Sequence, residues 1–361
     1  MGKTIIRLLL LLLFCNSIAY GQEQEVRYYP ATYFGVQGQA PEVSGEPYSR
    51  IDSLNSTKVS EPLQILSRNT AGLYIEFQTN SSFIDVKWEL QTYTVLSNMT
   101  PLAVNGLDLY GWKNSKWQYV NSGIAKAAQN KVRIIKNMDT SMTRFRLYFP
   151  LYSIVKELSI GVASKAVIHP VEPVTKHRVV IYGSSITQGA SASRPAMAYP
   201  SILGRSLNLE IINLGFSGTG KMELEMAAII KSIQADTFIL DCVPNPSPKQ
   251  IAERTVPFVT LLQGTHPNVP IIMVESVFRQ TGYWDQALGN RVKAQNKAFR
   301  DSYQQLIRQG NSQLHYITSE QLIGNDHEAT TDGVHFSDLG HFRMAHTIEE
   351  KLKELLTNSN N

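Results

Sequence analysis

Four short stretches of the chain carry side chains that could cooperate on an ester. Gly183-Ser184-Ser185-Ile186-Thr187 presents a serine hydroxyl behind a glycine, and Gly215-Phe216-Ser217-Gly218-Thr219-Gly220 presents glycine amides. Val243-Pro244-Asn245 supplies a carboxamide, and Asp332-Gly333-Val334-His335 places an acid and an imidazole three residues apart. A serine hydroxyl is a poor nucleophile at its free pKa and needs a base within hydrogen-bond reach. His335 can be that base, and Asp332 can hold the second ring nitrogen and fix its tautomer. The developing oxyanion needs fixed donors, each worth about 3–4 kcal/mol. The Ser185 amide, the Gly218 amide and the Asn245 side-chain NH₂ are the candidates.

Each stretch also has a plainer reading. A glycine turn with a serine N-cap accounts for Gly183 to Thr187. Gly218 could be a turn residue; a phosphate loop is excluded because no Gly-Lys-Ser/Thr follows at the required spacing. Asn245 between two prolines could stop a strand, and Asp332 to His335 could be a turn before a helix. Asp326, His327, Asp332 and His335 match no zinc spacing, so no metal is expected. His341 and His346 read as structural residues of the last helix. Cys242, at the end of a buried strand, reads as a small core residue. The absence of Gly-x-Ser-x-Gly argues against an α/β-hydrolase elbow.

The elements that must position these residues fall into two halves. Up to about Pro170 the hydrophobic period is two: Leu73, Ile75 and Phe77; Ile84, Val86, Trp88 and Leu90; Phe145, Leu147 and Phe149; Leu158, Ile160 and Val162. Such alternation puts one face of a strand in a core and the other in water, and predicts an antiparallel, jelly-roll-like β-sandwich. His169 to Pro173, with two prolines, reads as a linker. Beyond it, continuous apolar strands at 178–182, 210–214, 237–242, 271–274 and 315–317 alternate with helices at 196–207, 222–233, 249–262, 291–308 and 339–356, with Pro257 expected to interrupt the third. That order predicts a parallel sheet covered on both faces. Ligands of such sheets gather at the carboxyl ends of the strands, where all four stretches lie.

The chain has 361 residues, with 34 basic and 30 acidic residues and a formal charge of +4. So even a balance argues against nucleic acid as a partner. Met1 to Phe14 joins a short basic start to an apolar run, and Ala19-Tyr20-Gly21 offers small residues for cleavage before Gln22. The run is shorter than the ~20 residues of a membrane span, so residues 1–21 are expected to be a signal peptide. The mature chain is then exported, periplasmic or secreted, without an integral membrane segment. Removing residues 1–21 takes Cys15 away and leaves Cys242 alone, so no intramolecular disulfide is expected. The expected division is 1–21 signal, 22–172 sandwich and 173–361 catalytic domain.

Taken in order, the four stretches resemble the motifs of the SGNH (GDSL-type) hydrolase superfamily, over roughly residues 178–355. The resemblance implies a three-layer, flavodoxin-like α/β fold, Ser185 as nucleophile, Gly218 and Asn245 in the oxyanion hole, Asp332 and His335 completing the triad, and no cofactor. Two departures stand out. Ser184 occupies the usual Asp position, and Pro244-Asn245-Pro246 replaces a glycine-led block; both bear on the pocket beside Ser185. Gly106-Leu107-Asp108-Leu109-Tyr110 and Arg146 to Leu151 make the whole chain similar to two-domain bacterial members akin to carbohydrate acetylesterases. The expected substrate is therefore an acetylated oligo- or polysaccharide, with Trp284, Arg279 and Arg194 as candidate substrate contacts and Trp112 and Trp117 as a further aromatic platform. A lysophospholipase or short-acyl lipid esterase is the alternative within the chemistry. A catalytically inactive carbohydrate-binding protein is the alternative outside it.

Overall fold

The computed structural model describes residues 25–41, 45–52, 55, 57–172 and 177–358. The expected signal peptide and its cleavage point lie outside the described residues. The alternating segments form two antiparallel sheets. One runs in the order Val26–Pro30, Val155–Ala163, Ile84–Leu90, Gln129–Ile135. The other runs Ile168–Pro170, Tyr74–Thr79, Thr143–Tyr148, Leu107–Lys113, Lys116–Gly123, with Val36–Gln37 beside Tyr74–Thr79. The residues expected inside, from Leu73, Ile75 and Phe77 to Leu158, Ile160 and Val162, meet in one core between them. His169 and Pro170, read as the start of a linker, belong to the strand Ile168–Pro170; proline is tolerated there because the strand lies at the sheet edge.

The polar face of the second sheet departs from expectation. Glu76 and Arg146 alternate with core residues and were expected in water, yet both are buried, as is Asp108. They face the second half of the chain. Glu76 accepts from Arg146 Nε at 2.7 Å and from Arg144 Nε at 2.7 Å. Tyr74, Tyr110 and Tyr148 pack there with Ala196. Alternation of polar residues shows only that a face is not greasy. It does not show whether water or a polar partner covers it.

The second half is a five-stranded parallel sheet: β1 Arg178–Gly183, β2 Glu210–Gly215, β3 Thr237–Asp241, β4 Ile271–Val274 and β5 Leu314–Ile317, ordered β2-β1-β3-β4-β5. This is the flavodoxin-like order, whose switch point lies between β1 and β3. Successive strand residues feed opposite layers. Val180, Tyr182, Phe238 and Leu240 pack with Met226, Phe258 and Phe299, which belong to α3 Leu224–Ile230, α4 Pro248–Thr265 and α5 Gln286–Arg308. Val179, Ile181 and Ile239 pack with Tyr199 and Leu203 of α2 Tyr199–Ser206 and with Met344, Ile348 and Leu352 of α6 Asp338–Asn358. A further short helix, α1 Ser185–Gln188, follows β1.

Contrary to expectation, α4 runs unbroken through Pro257. Pro257 and Glu253, whose carbonyl loses its helical donor, are both exposed, so water can replace that bond. The two halves are also tied by Arg50, which is fully buried and donates to the carbonyls of Asn69, Asn213, Gly215 and Leu66 at 2.8, 2.9, 2.7 and 2.6 Å.

Candidate active site

Ser185 opens α1 directly after β1. Ser184 caps this helix, its Oγ accepting from the Ile186 amide at 3.2 Å. Serine and aspartate are both strong N-caps, so the Ser184 departure keeps the local geometry that presents Ser185. Gly215 lets β2 approach, since a Cβ there would lie 2.2 Å from the Gln188 nitrogen.

The turn from Asp332 to His335 is built by its own acid. Asp332 Oδ1 accepts from the Val334 and His335 amides at 3.0 and 2.7 Å, which closes the turn and points the imidazole outward. Thr331 N bonds His335 O at 2.8 Å, and Gly333 provides the left-handed φ of +82° that the turn requires. Asp332 Oδ2 then meets His335 Nδ1 at 2.8 Å, and His335 Nε2 meets Ser185 Oγ at 3.0 Å. The three residues predicted to act together are therefore in one hydrogen-bonded line. With Nδ1–H given to Asp332, Nε2 is the lone-pair nitrogen that faces the serine hydroxyl. Burial pushes the Asp332 carboxyl up, but the His335 amide, the His335 ring and the Asn98 amide outweigh it and bring the pKa down to about 2. The acid is an anion at neutral pH.

The Ser185 and Gly218 amides have no protein acceptor among the bonds of the described residues. Gly218 sits at φ +71° with open space where a Cβ would be. Asn245 is placed beside this loop rather than free of it, with Nδ2 donating to Phe216 O and Gly220 O at 3.3 and 3.4 Å. The Asn245 loop is held by Gln295, which pattern reading missed, and by Arg279, which it took as a substrate contact. Buried Gln295 of α5 donates to Val243 O and Pro246 O at 3.1 and 2.6 Å, and Arg279 donates to Pro244 O at 2.8 Å. Gln188, on the serine helix, accepts from the Ser217 amide at 3.0 Å and donates to Asn69 Oδ1 at 3.2 Å.

The candidate substrate contacts divide. Arg194 is turned away to Asp108 at 2.9 Å and Tyr110 at 2.8 Å, so it docks the halves together. Arg279 is committed to Pro244. Trp284 is 89% exposed, in a segment whose Gln280 bonds Thr330 beside the Asp332 turn. Trp112 and Trp117 meet edge-to-face at 5.3 Å, with only Trp112 exposed. Cys242 is buried, and burial pushes its thiol well up. His341 is likewise buried, bonded through Nε2 to Ala190 O at 3.1 Å.

The sequence profile of the GDSL-like lipase/acylhydrolase family matches residues 176–353, and that of the GxDLY family, the N-terminus of SGNH hydrolase-type esterases, matches residues 26–168. A Bacteroides ovatus ATCC 8483 protein described as a GDSL-like lipase, known from a crystal structure, is 42% identical. The match covers 92% of this chain and 98% of that one, with a TM-score of 0.90. The chain belongs to the GDSL-like lipase/acylhydrolase family. The hydrolase is also similar in fold to the salicylyl-acyltransferase SsfX3 of a tetracycline biosynthetic pathway, at TM-score 0.74 and 17% identity over 91% of this chain and 97% of that one. The acetyl xylan esterase Est2A of the rumen bacterium Butyrivibrio proteoclasticus has the same fold, at TM-score 0.57 and 12% identity over 92% of this chain and 99% of that one. No curated protein matches the chain. Membership of this family makes the hydrolase an ester hydrolase. Among the described residues, no helix is long and apolar enough to cross a membrane.

Proposed function

We propose that this hydrolase is an exported serine esterase that removes O-acetyl groups from carbohydrate. The observation that carries the reading is the line Ser185–His335–Asp332, at 3.0 and 2.8 Å, with the Ser185 and Gly218 amides on the same rim and without a protein acceptor among the described residues. His335 takes the Ser185 proton as Oγ attacks the ester carbonyl. The oxyanion is held by the Ser185 and Gly218 amides and the Asn245 side chain. The sugar hydroxyl leaves with the proton from His335, and an acetyl-serine remains. Water, deprotonated by His335, attacks that ester and frees acetate. This route draws on side chains and two backbone amides and calls on no cofactor. The shared fold with an acetyl xylan esterase and the exposed Trp284, able to stack on a sugar ring, support the carbohydrate reading.

The test is acetate release from a panel of acetylated glycans, beside p-nitrophenyl esters of increasing acyl length, with Ser185→Ala as control. A steep preference for acetyl and a silent Ser185→Ala are expected; unchanged turnover in that variant sinks the mechanism. Leu339 and Phe342, exposed at 41% and 59% at the start of α6, favour a second reading as a lipid esterase. A preference for longer acyl chains would select it. Export is tested by N-terminal sequencing of the natively expressed protein, which should begin at Gln22.

A further inference from the structure

We infer that Asn98, carried by the antiparallel half, is a positioning residue for the acyl-transfer site of the parallel half; this rests on the serine mechanism proposed above. Its Nδ2 donates to Asp332 Oδ2 at 2.9 Å and stands 3.2 Å from His335 Nδ1. A carboxylate only accepts, so the amide presents its NH₂ to Asp332. The Nδ1 proton is already given to Oδ2, so the amide does not bond the ring. It occupies the place from which water would compete for the carboxylate.

That place matters because the Asp332 side chain is 32% exposed. Oδ1 is saturated by the two turn amides. Oδ2 has His335 and, on its remaining side, Asn98. Without Asn98 this side faces solvent, and the carboxylate can swing or hydrate at the expense of the imidazole. A triad acid works by orienting its histidine, so an Oδ2 that carries a second fixed donor keeps that orientation better than one shared with water.

Asn98 is itself fixed, and by the loop that follows the serine helix. Its carbonyl accepts from Ser191 Oγ at 2.8 Å. Thr100 donates to Ser193 O at 2.6 Å and caps Pro101–Asn105 through Ala103 N at 3.0 Å. Met99 is buried among Ala190, Ala192 and Ala198. At the far end of the segment, fully buried Asn105 exchanges bonds with the Thr94 amide and carbonyl at 3.0 and 2.6 Å. One segment of the antiparallel half thus clamps both the loop beyond Ser185 and the acid of the Asp332 turn. The parallel half receives this donor from the antiparallel half.

The experiment uses the full chain and p-nitrophenyl acetate, with fluorophosphonate labelling of Ser185 as a second rate. Asn98→Ala should lower kcat by roughly 10-fold with KM unchanged, and Asn98→Asp by roughly 100-fold, because a second carboxylate then crowds Oδ2. Labelling rates should fall by the same factors. Thr100→Ala removes a clamp bond without touching Asp332; it should lower the thermal midpoint and leave kcat within about twofold. The inference is overturned by an Asn98→Asp enzyme as fast as the parent, or by Thr100→Ala losing as much kcat as Asn98→Ala, which would make the segment a mere tether. Should Asn98→Asp not fold, Asn98→Ala carries the same reading. A fully active Ser185→Ala would instead overturn the serine mechanism beneath it.

Discussion

Arg194 and Asp108 meet across the two halves of the molecule at 2.9 Å, the acid completely buried and the arginine 19% exposed. The same Asp108 oxygen accepts from the Ala196 amide at 2.9 Å, and its other oxygen accepts from Ser122 Oγ at 2.6 Å. Tyr110 shares Arg194 through its hydroxyl at 2.8 Å. Asp108 and Tyr110 belong to the stretch Gly106-Leu107-Asp108-Leu109-Tyr110. Leu107 and Leu109 point into the sandwich core, while Asp108 and Tyr110 dock the hydrolase half. The motif is therefore a hinge of assembly: one strand face makes a domain and the other joins it to the next.

Asp108→Ala should accordingly destabilise the whole chain rather than the sandwich alone. It strips Arg194 of its carboxylate, leaving only the Tyr110 hydroxyl, and leaves the buried Ala196 amide without that acceptor. Breaking one side of a buried pair costs about 3–5 kcal/mol, and the partial exposure of Arg194 favours the lower end. Urea unfolding should show that loss. A change below about 0.5 kcal/mol would mean that the tyrosine packing, and not the acid, holds the interface.

Asn245→Ala separates binding from catalysis. Its bonds to Phe216 O and Gly220 O are long, at 3.3 and 3.4 Å, so little stability depends on them. As an oxyanion donor its loss should lower kcat by about 10²–10³ with KM nearly unchanged. A fall in stability with kcat retained would show that the side chain only braces the Gly218 loop.

The parts of this molecule that were legible beforehand are those written in local periodicity and in strand-end loops. Period-two residues such as Ile84, Val86 and Trp88 disclosed the sandwich core, and four strand-end loops disclosed Ser185, Asp332 and His335. What stayed hidden depends on partners far along the chain. Asn98 lies 234 positions from Asp332 and is an ordinary loop asparagine by itself. Gln295, in the middle of an amphipathic helix, gives no local sign that it holds the Asn245 loop. Arg194 could be placed near the correct rim but not turned toward Asp108, because a free and a paired arginine look alike in one dimension.

Asp332→Asn should leave the fold intact and lower kcat by about 10⁴, since the amide favours the wrong tautomer of His335. The pH dependence of this acid has a definite sign. Its folded pKa of about 2 lies below the ordinary 3.8, so the stabilisation is present above pH 3.8 and is lost as pH falls toward 2. Activity measured down to pH 4.5 should therefore show no inflection from Asp332. An acid limb that disappears in Asp332→Asn while turnover persists would contradict this.

Asp241 should set the opposite slope. It closes β3 beneath the serine helix, fully buried, with Oδ2 accepting from Thr187 Oγ1 at 2.7 Å and Tyr199 OH at 2.9 Å. Burial pushes its carboxyl up to about 7, against the pull of the two hydroxyls. A folded pKa above the unfolded 3.8 means that the folded state binds the proton more tightly. Its contribution is complete below pH 3.8 and is lost as pH rises through 7, by at most about 1.4 kcal/mol per pH unit. Buried His341, whose ring stacks with that of Tyr199, acts in the reverse sense. Burial lowers its pKa to about 4, so its contribution is lost as pH falls from 6.5 toward 4. Asp241→Asn keeps an acceptor for both hydroxyls and removes only the carboxylate. Its stability relative to the parent should climb between pH 4 and pH 7 and level off above, as read by urea midpoints at each pH. Parallel curves for the two proteins would show that Asp241 stays ionised in the fold and that Thr187 and Tyr199 fully offset its burial.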